Sequence, residues 1–443
     1  MPRIRPRAVQ AAMAAAVAAA ALTAAATSPA GASPGPPAPT ARPGITARPA
    51  RTLPFGISAL DYHRMLAQLP LDKAAAKIRQ AAAGTSAGRR GFVQTRVDAD
   101  HSTLTVYWHG RVPAGMGHLF TALSRHLHLV IKPARYSLAE LNHAISLVTR
   151  GNPRSVGTAG PLTDGSGIQV GVTGRAPAVG PRAAERLFHS TVPVTVVTAP
   201  RARPYTCQDN PADTLGPGSR CYDLAPGFWG GAVISIFGSG YILTYCSTGF
   251  GVHYSNGSTG MLTAGHCIHS DEVPSGSTWW NGQATTEIGS TGHTPFLASS
   301  TASHDSGVIV TPAGSGDRYY DGPSIYAGDT YNTKLVTGQL PSSPGDWMCE
   351  SGAIGGVLCN IKVLDTGVTT WLGTYHISGL VSATDPSSSA PVPGDSGGPV
   401  FSLAGTGAVT ARGTITGGES GTVIYYTPMD VISKDLGVTV NTG

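Results

Sequence analysis

The chain changes chemistry at about Pro204, and that change limits what it can fold into. Before this point, strand-like alternation and helix-like apolar spacing take turns. After it come Gly, Ser and Thr with short β-branched runs, and all six cysteines. At 443 residues the chain is too long for one ordinary domain, so two folded units plus processing segments are expected. Charge divides at the same place. Up to Pro204 there are 24 Lys and Arg against 7 acids, and beyond it 6 against 18, giving balances of +17 and −12. Halves of opposite sign attract, which predicts that one docks on the other. A basic region also suits nucleic acid or membrane, but its arginines are scattered and no basic cluster interleaved with aromatics occurs, so neither partner is expected.

The first residues read as a targeting segment. Arg3, Arg5 and Arg7 precede an Ala-rich apolar run from Ala11 to Ala26, and Ala30-Gly31-Ala32 is an A-x-A cleavage signal, so residues 1–32 are expected to be a secretory signal peptide. The run is short, Ala-dominated and followed by Pro-rich sequence, and no later stretch approaches the ~20 apolar residues of a membrane span. A secreted, soluble, extracellular protein is expected. Residues 33–52, rich in Pro and Ala with hardly any large apolar side chain, read as a disordered linker.

Residues 53–204 carry a mixed α/β pattern. Phe92 to Val97 and Thr103 to Trp108 alternate like strands, joined by a turn at Asp98-Ala99-Asp100-His101. Met116, Leu119, Phe120, Leu123 and Leu127 keep helical spacing, followed by a short strand at Leu129-Val130-Ile131. Ser137 with Glu140 forms a capping box, and Leu138, Leu141, Ile145 and Val148 make the apolar face of the helix it starts. The strand-helix-strand order repeats: a strand from Gly167 to Val172, a helix from Pro181 to His189 and a strand from Val194 to Val197. Gly165-Ser166-Gly167 precedes a strand rather than a helix and lacks a complete glycine fingerprint, so it reads as a turn and not a nucleotide loop.

From residue 205 to 443 the pattern is all-β with many turns. Strands are expected at Val233 to Ile236, Tyr241 to Leu243, Ser306 to Val310, Lys334 to Val336, Ile361 to Val363 and Val423 to Tyr426, with a closing helix from Met429 to Leu436. The cysteines fall into three close couples, Cys207 with Cys221, Cys246 with Cys267, and Cys349 with Cys359. As disulfides, each closes a short loop and contributes roughly 3 kcal/mol in the chain-entropy model. Zinc is the rival reading, but no CxxC knuckle is present and export implies an oxidising compartment.

Three short stretches carry chemistry. In Gly394-Asp395-Ser396-Gly397-Gly398-Pro399, glycines let the backbone turn sharply around Ser396, and the amides of Gly394 and Ser396 are placed to serve as an oxyanion hole. A serine hydroxyl needs a base, and Thr263-Ala264-Gly265-His266-Cys267 offers His266. The imidazole needs a carboxylate on its other nitrogen, and His304-Asp305-Ser306-Gly307-Val308-Ile309 offers Asp305. His269 and His304, beside these candidates, read as surface or rim groups. No metal and no cofactor is expected.

In the order His, Asp, Ser these stretches resemble the chymotrypsin-like serine peptidases, in their secreted bacterial branch of streptogrisin and alpha-lytic type. The resemblance covers roughly residues 228 to 436. It implies two antiparallel β-barrels of trypsin-like fold, the first carrying His266 and Asp305, the second Ser396, with the site in the crevice between them. It implies an N-terminal pro-region that assists folding or inhibits, here residues 53–204. Gly417 and Gly418 would bind an extended peptide as an added strand, and Ser388, Ser389 and Ile424 would lie near the base of the specificity pocket. With no acid among them, an apolar or uncharged side chain is expected there, although Glu419 stands at the rim.

Two departures matter. In the bacterial branch an arginine after the first cysteine of a second-barrel disulfide pairs with the aspartate before the nucleophile, here Asp395; this chain has Glu350 after Cys349. The disulfide beside the pocket is absent, with Ala390 at one of its positions. The reading is a monomeric serine endopeptidase, a hydrolase made as a zymogen and acting on proteins or peptides. The alternative is a non-catalytic or latent protease-fold binding protein whose oxyanion hole does not form.

Overall fold

A computed structural model of the chain describes residues 59–199, 218–224, 227–238, 241–269, 273, 276–296, 301–324, 331–385, 391–419 and 422–443. The expected signal peptide, the linker, Cys207 and the expected boundary at residues 204 and 205 lie outside the described residues. The described chain is mostly β-sheet. Among the described residues no helix is long and apolar enough to cross a membrane.

Two strand-helix-strand units occupy the N-terminal region, as the repeat predicts. Strand Thr103–His109 runs parallel to His128–Ala134, and the helix Ala114–Leu123 connects them. Strand Ile168–Val172 runs parallel to Val194–Thr198 across the helix Pro181–Leu187. The helix Leu138–Gly151 begins at Ser137, whose hydroxyl accepts from the Glu140 amide while the Glu140 carboxylate accepts from the Ser137 amide. Such a cap stabilises a helix by about 1 kcal/mol. Its buried Leu141, Ala144, Ile145 and Val148 pack on Val156, Ile168, Val170 and Val194. Two helices with no strong sequence signal precede these units, Ala59–Ala67 and Leu69–Ala83. The first is short and buries only Tyr62 and Met65, and the second buries mostly alanine beside Leu71 and Ile78, so neither presents a long run of large apolar residues at helical spacing.

The remaining strands fall into two large sheets. The eight-stranded sheet contains Thr259–Thr263 and Gly307–Val310, which pair antiparallel with Thr263 opposite Gly307. The thirteen-stranded sheet contains Trp347–Gly352, Pro399–Leu403, Ala408–Glu419 and Val423–Pro428. It continues into the N-terminal region, where Thr369 and Thr370 of the long strand Gly356–Leu372 pair with Ala159 and Thr158. The strands expected from sequence are all present, with Ile361 to Val363 forming part of that longer strand, and the helix Met429–Leu436 has the expected bounds. Disulfides join Cys246 to Cys267 and Cys349 to Cys359. Cys221 is buried, and its expected partner is outside the described residues.

The N-terminal region packs on the chain beyond it through buried contacts. Tyr62 and Met65 share a core with Cys349, Cys359, Phe401 and Leu403. Gln68, fully buried, reads the backbone of Trp347 in both directions: its Oε1 accepts from the amide at 2.6 Å and its Nε2 donates to the carbonyl at 2.9 Å.

Candidate active site

Strand pairing brings His266 and Asp305 together. Thr263 and Gly307 end their shared ladder opposite one another, so the residues just beyond it emerge side by side. The chain then turns into the short helical segment Gly265–Ile268, where His266 sits. The Asp305 carboxylate grips this residue twice: Oδ1 accepts from the His266 amide at 2.8 Å and Oδ2 pairs with Nδ1 at 2.8 Å. The Asp305 side chain has no solvent exposure and that of His266 has 8 %. An ionised carboxylate only accepts, so Nδ1 carries the proton and Nε2 presents its lone pair. Nε2 is buried and makes no hydrogen bond in this state. Thr427 ties Asp305 to the other large sheet, since its Oγ1 donates to the Asp305 carbonyl at 2.9 Å. Phe296 meets the imidazole edge to face at 6.4 Å between centroids.

Cys246, His266 and Cys267 offer ligand atoms close enough for a metal ion, the one such group among the described residues. Both sulfurs are in a disulfide, and a disulfide presents no thiolate to a metal.

The Ser396 loop lies against the same turn. The Cys267 sulfur is 3.9 Å from the Ser396 carbonyl oxygen. Gly394 and Gly397 have φ of 100° and 88°, left-handed backbone that favours glycine. A Cβ on Gly397 would also collide with Thr263 Oγ1, the Ser247 carbonyl and the Ala264 amide. Ser247, a residue without a sequence motif, fixes this loop. Its amide donates to the Ser396 carbonyl at 2.8 Å and its hydroxyl donates to the Gly394 carbonyl at 2.8 Å. From the other side, the Gly397 amide donates to Ile415 at 2.8 Å. Ser396 itself is fully buried.

Asp395 is held mainly by backbone. Its Oδ1 accepts from the amides of Ile354 at 2.9 Å and Gly355 at 2.8 Å, and its Oδ2 from Val392 at 2.9 Å. Gly352 and Gly355 leave no room for a Cβ beside that carboxyl. Complete burial raises the Asp395 pKa to about 6, while the three amides and the field of Arg220 oppose the rise. Glu350 occupies the strand position opposite Val400, almost fully buried. Burial first, then the neighbouring Asp395 and Asp385, push its pKa well above the usual carboxylate range.

Gly417 and Gly418 lie in the strand Ala408–Glu419, opposite Tyr425 and Ile424. On the other edge, pairing with Pro399–Leu403 ends at Thr414, and Ile415 bonds to Gly397 and Gly398. Ser388, Ser389 and Ala390 lie outside the described residues. His304 is not a rim group. It is fully buried, bonded through Nδ1 to the Ser306 hydroxyl at 2.9 Å, with Nε2 3.0 Å from Asp435 Oδ2. Burial lowers its pKa, against the pull of Asp435 and Asp305. His269 is half-buried.

No family model matches the chain, and no curated protein does. Solved structures do. Protease A of Thermobifida fusca is 27 % identical over 48 % of this chain and 98 % of its own, with a TM-score of 0.36. The chymotrypsin of Cellulomonas bogoriensis is 25 % identical over 48 % and 98 %, also at 0.36. An alpha-lytic protease homologue, N4, gives the same four values as the latter. The solved structures that this chain resembles thus include bacterial chymotrypsin-like serine proteases of trypsin-like fold.

Proposed function

We propose that the chain is a secreted serine endopeptidase that hydrolyses peptide bonds through an acyl-enzyme. The observation that carries this is the double grip of Asp305 on His266, which fixes the tautomer and leaves Nε2 as an acceptor, on a turn whose next residue, Cys267, meets the Ser396 carbonyl. Ser396 attacks the carbonyl carbon as His266 takes its proton. The resulting oxyanion rests on the Gly394 and Ser396 amides. His266 then gives the proton to the leaving amine, and water repeats the sequence on the ester. The two large sheets are read as the two barrels of the fold, with the site at their junction. Gly417 and Gly418 align the peptide as an added strand, and the specificity pocket takes an apolar or uncharged side chain.

Residues 53–204 are read as a pro-region. The buried seat of Gln68, Tyr62 and Met65 supports docking that outlasts synthesis. The Nε2 to Ser396 hydrogen bond is not made in the intact chain, as catalytic contacts often tighten only with substrate. A fluorophosphonate titration of the secreted protein tests the reading. Stoichiometric labelling of Ser396 that is lost in His266→Ala supports it. No labelling, before or after removal of residues 53–204, sinks it in favour of a binding protein of protease fold.

A further inference from the structure

We propose that Arg220 is a positioning residue for the Ser396 loop, acting through the Gly352–Gly355 turn that holds Asp395. The proposal rests on the peptidase reading and deepens it. Arg220 precedes every strand of the chain beyond residue 204 and carries no motif, yet it is fully buried at the site. Its guanidinium donates to four backbone carbonyls: Gly231 at 2.7 Å and Gly352 at 3.2 Å from Nη1, Tyr320 at 3.1 Å and Gly322 at 3.3 Å from Nη2. Its own carbonyl accepts from Val233 at 2.9 Å, which anchors the residue at the start of a strand.

The contact with Gly352 is the one that matters for chemistry. Gly352 backs directly on the Asp395 carboxyl. The next three amides all face the Ser396 loop: Ala353 donates to Ser247 Oγ at 2.9 Å, and Ile354 and Gly355 donate to Asp395 Oδ1. Ser247 Oγ in turn donates to the Gly394 carbonyl. Arg220 therefore fixes the first carbonyl of a turn whose amides orient Asp395 directly and Gly394 through one serine. Those two residues set the peptide planes from which the Gly394 and Ser396 amides project. Arg220 also brings positive charge to a neighbourhood containing Asp395, Glu350 and Asp385, and its field favours the ionised form of Asp395. Position 350, a neighbour of the same carboxylate, carries a carboxyl group and offers it no cation. One consequence is that any maturation cut lies before Arg220.

The test uses the full-length chain, as purified and after any maturation it undergoes, and the variants Arg220→Met, Arg220→Lys and Arg220→Met with Glu350→Arg. Wild-type labelling by the fluorophosphonate is measured first, and its absence would overturn the peptidase reading itself. Given labelling, Arg220→Met is expected to lower kcat by about 100-fold, the size of losing one oxyanion donor. KM should change less than about threefold, and the acid limb of the pH profile should move up because Asp395 loses a cation. Adding Glu350→Arg returns a buried cation to Asp395 and is expected to recover at least about tenfold in kcat and to lower the acid limb. Arg220→Lys keeps the charge without the planar fork, so kcat should fall while the acid limb stays. An Arg220→Met enzyme with wild-type kcat and acid limb overturns the proposal. If that variant does not fold, Arg220→Lys decides: unchanged kcat, or kcat and KM shifted equally, overturns it.

Discussion

Asp72 and Arg412, 340 residues apart, are hydrogen-bonded with neither side chain exposed to solvent. The pair reverses the overall charge arrangement, since the acid comes from the basic N-terminal region and the cation from the acidic remainder. Asp346 is the second carboxylate on the same guanidinium, at 3.4 Å. Arg412 also donates to the Pro341 carbonyl and the Ser402 hydroxyl at 2.8 and 2.9 Å, so it is held in place independently of Asp72. The helix Leu69–Ala83 thus seats a carboxylate in a prepared socket.

Removing one partner of a buried ion pair costs about 3–5 kcal/mol, because the other charge stays desolvated. Asp72→Ala should therefore release the helix Leu69–Ala83. In the full-length chain, amide hydrogen exchange of residues 69–83 is expected to accelerate by about 100- to 1000-fold, at 1.4 kcal/mol per tenfold. Unchanged exchange would show that the apolar seat of Tyr62 and Met65 suffices.

The same cluster makes docking depend on pH. Burial first, then the charge of Asp72, raise Asp346 well above the usual carboxylate range, with Arg412 opposing. The docked state therefore binds a proton that the undocked state has already released. Its stabilising contribution is complete below the ordinary carboxylate value and is lost as pH rises toward the displaced one. Exchange protection of residues 69–83, corrected for intrinsic rates, should fall by up to about tenfold per pH unit within that window. Asp346→Asn should flatten the slope. A slope that persists in this variant would place the proton elsewhere.

Glu350→Gln should stabilise the protein at neutral pH. The folded-state pKa of Glu350 is raised, so folding is opposed once pH passes the unfolded value, and a neutral amide of similar shape removes that penalty. A gain of ~1 kcal/mol moves Tm by about 2–4 °C in a cooperative unit of roughly 150–250 residues, and by less in a larger one. The shift should be seen at pH 8 and vanish near pH 4. Loss of stability at both would mean that the carboxyl makes a contact Gln does not replace.

What was legible in the sequence was the chemistry with a fixed local frame. A nucleophile between two left-handed glycines, a histidine before a cysteine and an aspartate at a strand start are each defined within a few residues. The capping box at Ser137 and the repeated strand-helix-strand order were legible for the same reason. Arg220, Ser247 and Gln68 were not, because each works on backbone groups that only the folded chain brings near. The glutamate at 350 read as a gap in the support of Asp395. The amides of Val392, Ile354 and Gly355 fill most of that gap, and any residue type can supply an amide. His304 read as a rim group because its partners, Ser306 and Asp435, become meaningful only when the closing helix packs over it.

Asp305→Asn separates orientation from mere proximity. The His266 amide donates to Oδ1, so in the variant the amide oxygen must stay there and its NH2 must face Nδ1. Nδ1 then becomes the acceptor, and the ring proton moves to Nε2. A protonated Nε2 has no lone pair for the Ser396 proton, although every heavy atom keeps its place. The expected result is a fall in kcat of about 10⁴ with little change in KM, and fluorophosphonate labelling slowed by a similar factor. Retention of more than about a tenth of wild-type kcat would mean that His266 does not depend on Asp305 for its tautomer, and the assignment of these two residues would fail.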